Sequence, residues 1–500
     1  MDNKVQLVTY VDRFGRGNLK DFKDFLEKEI PDLFAGLHLL PFFFPYDGAD
    51  AGYDPNDNRI LDPRIGKWEN VKSLSSEYSI VLDLIINHIS EKSTEFRDVL
   101  SHGSKSKYFD LFLTKEKVFG GMPKESEIDK IYRPRPNRPF SLRKIENGEN
   151  IEFWTTFSHK QIDIDVNSIL GKQYIDSILK IFSDNEIKII RLDAVGYAIK
   201  KPGTSCFMIP ETYAFIDKVV SHAHSYGIEV LVEIHSHYQT QIEIAKHSDY
   251  VYDFALPPLV LHSLFSKNFE RLKYWYSISP KNCITVLDTH DGIGVMDVAS
   301  TENSEGLITD NELDKLVNTI HSNSNGESQK ATGSAASNLD LYQVNCTFYS
   351  ALSCSDAEYI IARAIQFFSP GIPQVYYAGF LAEANDMELL KSTSVGRDIN
   401  RPYLDWSEIK DKLEKPVVKV LIDLIKFRNT NASFKGEFNL IESNKEVLHI
   451  VWTNDKVKSE LIIDLLKTSC QIKLTEDNKS QWIDLMHLLN DYNNVQKTKA

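Results

Sequence analysis

Eight times along this chain a strand-length run of apolar residues appears, with amphipathic helical stretches between most of the runs. That alternation limits the fold more than any other feature of the sequence. The runs lie at residues 5–11, 35–43, 79–87, 187–195, 229–235, 250–256, 283–288 and 372–378. Helical spacing fills the intervals, as where Ile175, Ile178, Leu179 and Phe182 form one stripe. The stretch 210–226 carries Pro and Glu in its first turn and Gly227 just past its end, a helix with both boundary signals. Short strands alternating with helices imply βαβ units and a parallel sheet. Eight such units suggest an α/β fold closed into a (β/α)8 TIM barrel.

The rhythm breaks twice. After Asn87 the chain is polar, Pro- and Lys-rich and irregular up to about Asn167. From about Val295 to Ser353 it turns to Ser, Asn, Gly and Thr. Both stretches read as insertions between barrel units. Beyond about residue 432 the pattern changes to period two: Val447, His449 and Val451 alternate with Leu448, Ile450 and Trp452. A small β-rich C-terminal domain is expected there, with the tail NNVQKTKA frayed.

Charge narrows the partners. Lys plus Arg number 57 against 71 Asp plus Glu, a formal charge of −14. A field of that sign repels nucleic acid and anionic membrane, so neither is expected as a partner. The longest apolar runs are broken by Asp83 or His262 and fall short of a membrane span of roughly 18 residues. The N-terminus lacks a signal-peptide layout. Five cysteines without a CxxC pair fit a reducing compartment, so a cytoplasmic protein is expected.

In a barrel of this kind chemistry sits at the carboxyl ends of the strands. Three runs end in acids: IIRLD at Asp193, VLVEIH at Glu233, and TVLDTHD at Asp291. A lone charge at a strand end is ordinarily a cap or a solvated group; three on one rim form a constellation. Alternation puts Arg191 on the face of Asp193, and His235 on that of Glu233. Paired carboxylates suit glycosidic chemistry, where one is ionised to attack and the other protonates the leaving oxygen. Arg191 is expected to favour the Asp193 anion, and crowding by two carboxylates to raise Glu233. His88 and His290 join the rim. The aromatics Tyr53, Phe157 and Tyr197 are either packing or platforms for the apolar faces of a sugar. The stretch IYRPRPNRPFSLRK, with Arg133, Arg135, Arg138, Arg143 and Lys144, is either a solvated face or an anion site. No Walker loop, HExxH, GxSxG or zinc-spaced Cys/His cluster is present, so no metal is expected.

The segments DGADAGYDP, DLIINHIS, IYRPRP, RLDAVGYAIKKPGTSCFM, EIHSHY, VYDFALPP, LDTHDGIGV, NLDLYQVN and GRDINR resemble the sucrose phosphorylases of the α-amylase clan, glycoside hydrolase family 13. The resemblance runs from residue 1 to about 435 and more loosely beyond. It implies that Asp193 is the nucleophile, Glu233 the general acid/base and Asp291 the transition-state stabiliser. Asp50 and Arg397 would hold the far hydroxyls of a glucosyl unit, with Tyr53, His88, Arg191 and His290 lining the subsite and Phe157 and Tyr197 walling it. Arg135, His235, Asp340, Tyr342 and Gln343 would form the acceptor side. The implied ligands are sucrose, phosphate, glucose 1-phosphate and fructose. Inorganic phosphate is a co-substrate, and no cofactor or calcium is expected. The implied architecture is barrel at 1–86, 168–291 and 354–431, inserted domains at 87–167 and 292–353, and a β-rich domain at 432–500. Family members are often homodimers. Relatives act on sucrose 6′-phosphate, glucosylglycerate or glucosylglycerol; Tyr342 in DLYQ matches the sucrose-acting pattern.

Overall fold

The computed structural model describes residues 1–133, 138–333 and 337–499, and of Ala49, Asp340, Thr498 and Lys499 the backbone alone. All eight expected strands form. They are β1 (Gln6–Thr9), β2 (Gly36–Leu39), β3 (Ser79–Ile85) and β4 (Ile189–Asp193), then β5 (Glu229–Val232), β6 (Tyr250–Asp253), β7 (Cys283–Thr285) and β8 (Ile372–Tyr376). Each pairs in parallel with its sequence neighbours, and β8 returns to β1, closing the barrel.

Alternation along these strands sorts side chains into two separate apolar bodies. Val81, Ile189, Leu231, Ile284, Val286 and Ile372, with Tyr252 and Phe254, form a plug inside the barrel. Their neighbours Leu82, Leu84, Ile190, Leu192, Val230 and Val232 point outward into the shell beneath the helices. Helix α1 (Leu19–Glu29) is capped by Asn18 and buries Leu19, Phe22, Phe25 and Leu26 in that shell. Helix α2 (Ile169–Asp184) starts at the cap Ser168 and buries the expected stripe Ile175, Ile178, Leu179 and Phe182. Helices α3 (Pro210–Ser225), α4 (Asp356–Phe368) and α5 (Pro416–Thr430) follow the same rule. Stepping two residues beyond the plug along a strand reaches the next inward position. There the sequence switches from apolar to polar, at Asp83, Arg191 and Glu233.

The chain leaves the barrel after β3 and re-enters at α2. The excursion is stitched back by antiparallel pairing of Gln161–Asp163 with His88–Ser90, and by a buried ion pair between Lys200 Nζ and Asp163 Oδ2 at 2.7 Å. A second excursion follows β7, where Ile293–Gly294 pairs with Gln343–Val344. The C-terminal section forms one antiparallel sheet, β9 (Glu437–Ile441), β10 (Val447–Asn454), β11 (Val457–Asp464), β12 (Ser469–Glu476) and β13 (Lys479–Asp484). Residues 493–499 of the expected frayed tail are instead the end of helix α6 (Leu485–Lys499), and Ala500 lies outside the described residues. Leu485 and Leu489 are buried and Tyr492 Oη donates to Asp423 at 2.7 Å. That i, i+4, i+7 stripe docks the helix and carries the polar residues after it. Among the described residues no helix is long and apolar enough to cross a membrane.

The seam between the first and last strands is held from α5. Asn429 Oδ1 accepts from Val5 N at 2.7 Å. Arg428, buried without a carboxylate at ion-pair distance among the described residues, donates to Phe367 O at 2.9 Å and Asn3 O at 2.9 Å. Its guanidinium lies 4.3 Å from the Phe434 ring centroid. Burial pulls its pKa down to about 9. Arg428→Ala strands these carbonyls and should cost about 3 kcal/mol of stability. A thermal midpoint that drops by several degrees would bear this out; an unchanged midpoint would not.

Candidate active site

The polar layer above the plug is one continuous chain of hydrogen bonds. Tyr252 Oη donates to Gln374 Oε1 at 3.1 Å and meets His38 Nδ1 at 3.2 Å. His38 Nε2 lies 3.0 Å from Asp83 Oδ2. Asp83 in turn accepts from Arg191. The same Arg191 Nη1 donates to Asp193 Oδ1 at 2.8 Å and to Tyr53 Oη at 3.2 Å. Its Nη2 lies 3.8 Å from Glu233 Oε1. One buried guanidinium thus stands between three carboxylates contributed by three adjacent strands or their ends.

That sharing decides the protonation of the site. For Asp83, burial opposes the anion, but Arg191 and then His38 outweigh it and bring its pKa down to about 2. For Asp193, burial prevails: Arg191 resists it, Glu233, Asp83 and Asp291 reinforce it, and the pKa rises to about 8. The expectation that Arg191 keeps Asp193 ionised therefore fails in the free site, because burial, reinforced by Glu233, Asp83 and Asp291, outweighs that one cation.

Asp291 has the opposite surroundings. Its Oδ1 lies 2.7 Å from Arg397 Nη1, 3.6 Å from Arg401 Nη2 and 3.7 Å from His290 Nε2. Burial works against its charge, and Arg397, His290 and Arg401 overcome it, holding the carboxyl far below the usual range. His290 is itself pushed down to about 3, by burial first, and stays neutral while stacked on Tyr53 at 4.9 Å. The rim thus combines a fixed anion, Asp291, with a carboxyl, Asp193, that keeps its proton in the free site.

A cavity of about 100 Å³ opens onto these groups. It is lined by Asp193, Glu233 and Asp291, by Asp50 and Arg397, and by Tyr53, His88, Phe157, Tyr197, His290 and Tyr342. Eleven of the sixteen anticipated residues therefore meet around one space. Phe157 and Tyr197 form an edge-to-face corner at 5.1 Å, and His88 packs against Phe157 at 5.3 Å. Arg191 lies beneath the floor. His235 and Gln343 stand behind it, with Gln343 Nε2 3.0 Å from His235 Nε2 and Arg397 Nη2 3.3 Å from Gln343 Oε1. Arg135 and the Asp340 side chain lie outside the described residues.

The backbone is forced at two points on this rim. Asp50 and Ala51 have φ of 54° and 52°, and Ala194, next to Asp193, has 55°. The left-handed region is costly for residues with a Cβ and tends to occur where a site demands it.

Residues the sequence did not single out are Gln161, 3.0 Å from His88 Nε2, Arg401, and the interior groups Asp83, His38 and Tyr252. Asp83 was visible as an acid inside a strand-length apolar run, the one signal that could have found it. Glu233, His235 and Asp291 bring donor atoms within 4.8 Å of one another, the only such set among the described residues. Asp291 is already paired with Arg397, so a cation there would have to displace a guanidinium.

Comparison with known proteins agrees with this geometry. The family described as "Alpha amylase, catalytic domain" matches residues 32–411. A sucrose phosphorylase of Agrobacterium vitis is 52% identical over 93% of this chain and 95% of its own. A sucrose phosphorylase of Bifidobacterium adolescentis is 48% identical over 93% of this chain and 92% of its own. The crystal structure of a sucrose 6F-phosphate phosphorylase from Thermoanaerobacter thermosaccharolyticum superposes with a TM-score of 0.90 at 40% identity, over 97% of this chain and 99% of that one.

Proposed function

This chain belongs to the α-amylase family, and on that premise we propose that it is a sucrose phosphorylase, transferring a glucosyl unit from sucrose to inorganic phosphate with retention. The observation that carries the reading is the pair Asp193 and Glu233 on one guanidinium, facing a third carboxylate fixed by Arg397. Near-full-length likeness to phosphorylases, rather than to hydrolases alone, supports phosphate as the acceptor.

The proposed reaction runs in two displacements. Asp193 Oδ attacks C1 of the glucosyl unit while Glu233 gives its proton to the departing fructosyl oxygen, releasing fructose. A phosphate oxygen then attacks C1 from the opposite side, breaking the bond to Asp193. Glu233 recovers a proton from the acceptor, and α-glucose 1-phosphate leaves. Asp291 offers a permanent negative charge to the oxocarbenium-like centre in both steps. Arg191 is poised to follow the charge: sugar binding displaces water, and the developing cation at C1 favours the Asp193 anion that the free site resists. Asp50 and Arg397 are assigned to the far hydroxyls, with Tyr53, His88 and His290 around the ring and Phe157 and Tyr197 against its apolar face. Arg135, His235, Asp340, Tyr342 and Gln343 are assigned to the acceptor. Phosphate must outcompete a vast excess of water; a thousandfold deficit is about 4 kcal/mol, within reach of positioning. No cofactor takes part in this scheme. A cytoplasmic homodimer completes the proposal, with the acidic charge and five unpaired cysteines favouring the compartment.

The decisive assay incubates the protein with sucrose, with and without phosphate, and with sucrose 6′-phosphate. Glucose 1-phosphate should form from sucrose and require phosphate. Formation from the phosphorylated sugar alone would move the assignment to the sucrose 6′-phosphate enzymes.

Asp193→Ala should lower turnover by at least about 10³-fold, since it removes the covalent route. A fluorinated glucosyl donor should label the peptide containing Asp193; a label on Asp291 or Glu233 would reassign the nucleophile.

A further inference from the structure

His235 is held on every side. Its ring stacks on Phe254 at 3.8 Å and 13° and meets Tyr342 edge-on at 5.5 Å. Nε2 faces the site, 3.0 Å from Gln343 and 3.9 Å from Glu233 Oε1. Nδ1 points the other way, to Asp297 Oδ2 at 2.9 Å. Asp297 is fully buried, does not line the cavity, and uses its other oxygen to accept from Ser236 N at 3.1 Å. It belongs to the excursion after β7, whereas His235 follows β5. The contact exists because residue 294 is glycine: a Cβ there would lie 2.2 Å from Asp297 Oδ2 and 3.0 Å from His235 Nδ1. Gly294 also pairs with Gln343 across the short ladder. One loop thus supplies groups gripping both nitrogens of a ring that belongs to another.

We propose that Asp297 is a positioning residue for the acceptor half of the reaction: by anchoring His235 Nδ1 it keeps Nε2 turned toward the incoming phosphate. This rests on the phosphorylase reading given above. Without the anchor the ring has no polar partner on its inner edge, and a half-turn between Phe254 and Tyr342 would present carbon to the acceptor. The negative charge adds to the orientation. Burial disfavours a proton on His235, but Asp297, then Glu233 and Asp291, outweigh it and raise the ring's pKa. The charged groups facing the ring are Asp297 from the excursion after β7, Glu233 on the same strand end as the ring and Asp291 after β7, with Arg397 one step away through Gln343. In the free site Nε2 accepts from the Gln343 amide; a proton taken up there as an anion arrives, once that amide gives way, lets the ring donate to the anionic oxygen. Release of fluoride needs no proton from Glu233 and draws instead on Asp193, Arg191 and Asp291, none of which Asp297 touches.

Two variants test this, Asp297→Asn and Gly294→Ala, the second acting on the contact by steric intrusion. Two rates are read in each: fluoride release from α-glucosyl fluoride, and phosphate-dependent formation of glucose 1-phosphate from sucrose. The KM for phosphate should rise at least tenfold, and the phosphate-dependent step should fall at least ten times as much as fluoride release. The glucose to glucose 1-phosphate ratio at limiting phosphate should rise with it. Parallel loss of both rates, or a phosphate KM within twofold of the parent's, overturns the proposal. A parent protein that forms no glucose 1-phosphate overturns the phosphorylase reading and this proposal together.

Discussion

The guanidinium of Arg191 is the contact on which the site depends. It lies on top of an apolar plug, where an isolated charge would be expensive, and it is stable there because three carboxylates and a tyrosine hydroxyl surround it. The plug denies it water; the carboxylates deny it freedom. In exchange it brings Asp193 and Glu233 to one point, and it is burial, working against the guanidinium, that keeps the Asp193 proton in the free site. Removing any one of these partners would leave the others buried and unbalanced, so the layer behaves as a unit.

The barrel explains why such a layer can exist. Parallel strands in register place side chains of equal height on adjacent strands side by side, as Arg191 opposite Asp83. Two residues below, the same register gives Ile189 opposite Val81, both in the plug. A single alternation therefore builds an apolar base and a polar floor without extra machinery. The excursions after β3 and β7 then add walls, Phe157 from the first and Tyr342 from the second.

Much of this could be read from residues alone. Strand runs ended in Asp193 and Glu233 because the inward positions there rise clear of the plug, and period-two reasoning is enough to see it. Asp291 was reachable from its position just after a run, although its direction was not. The protonation of Asp193 was not legible, because it depends first on complete burial and then on Glu233 and Asp83, carboxylates that become its neighbours only once the sheet closes. Asp297 and Arg401 were hidden for a different reason. They sit in segments without periodicity, where no repeating pattern tells which side chain turns inward. The docked C-terminal helix was missed because its apolar stripe is sparse and its polar end follows passively.

The left-handed backbone at Asp50, Ala51 and Ala194 has a consequence for how the molecule fails under heat. Each conformation costs roughly 1–2 kcal/mol relative to a relaxed one, and the cost is met by packing elsewhere in the barrel. Warming weakens that packing before it dissolves the barrel. The rim around Asp193 will then relax toward ordinary backbone angles while the strands below still hold their register. Inactivation is therefore expected to precede melting, by a margin set by how firmly the scaffold keeps three residues in a shape they would not choose.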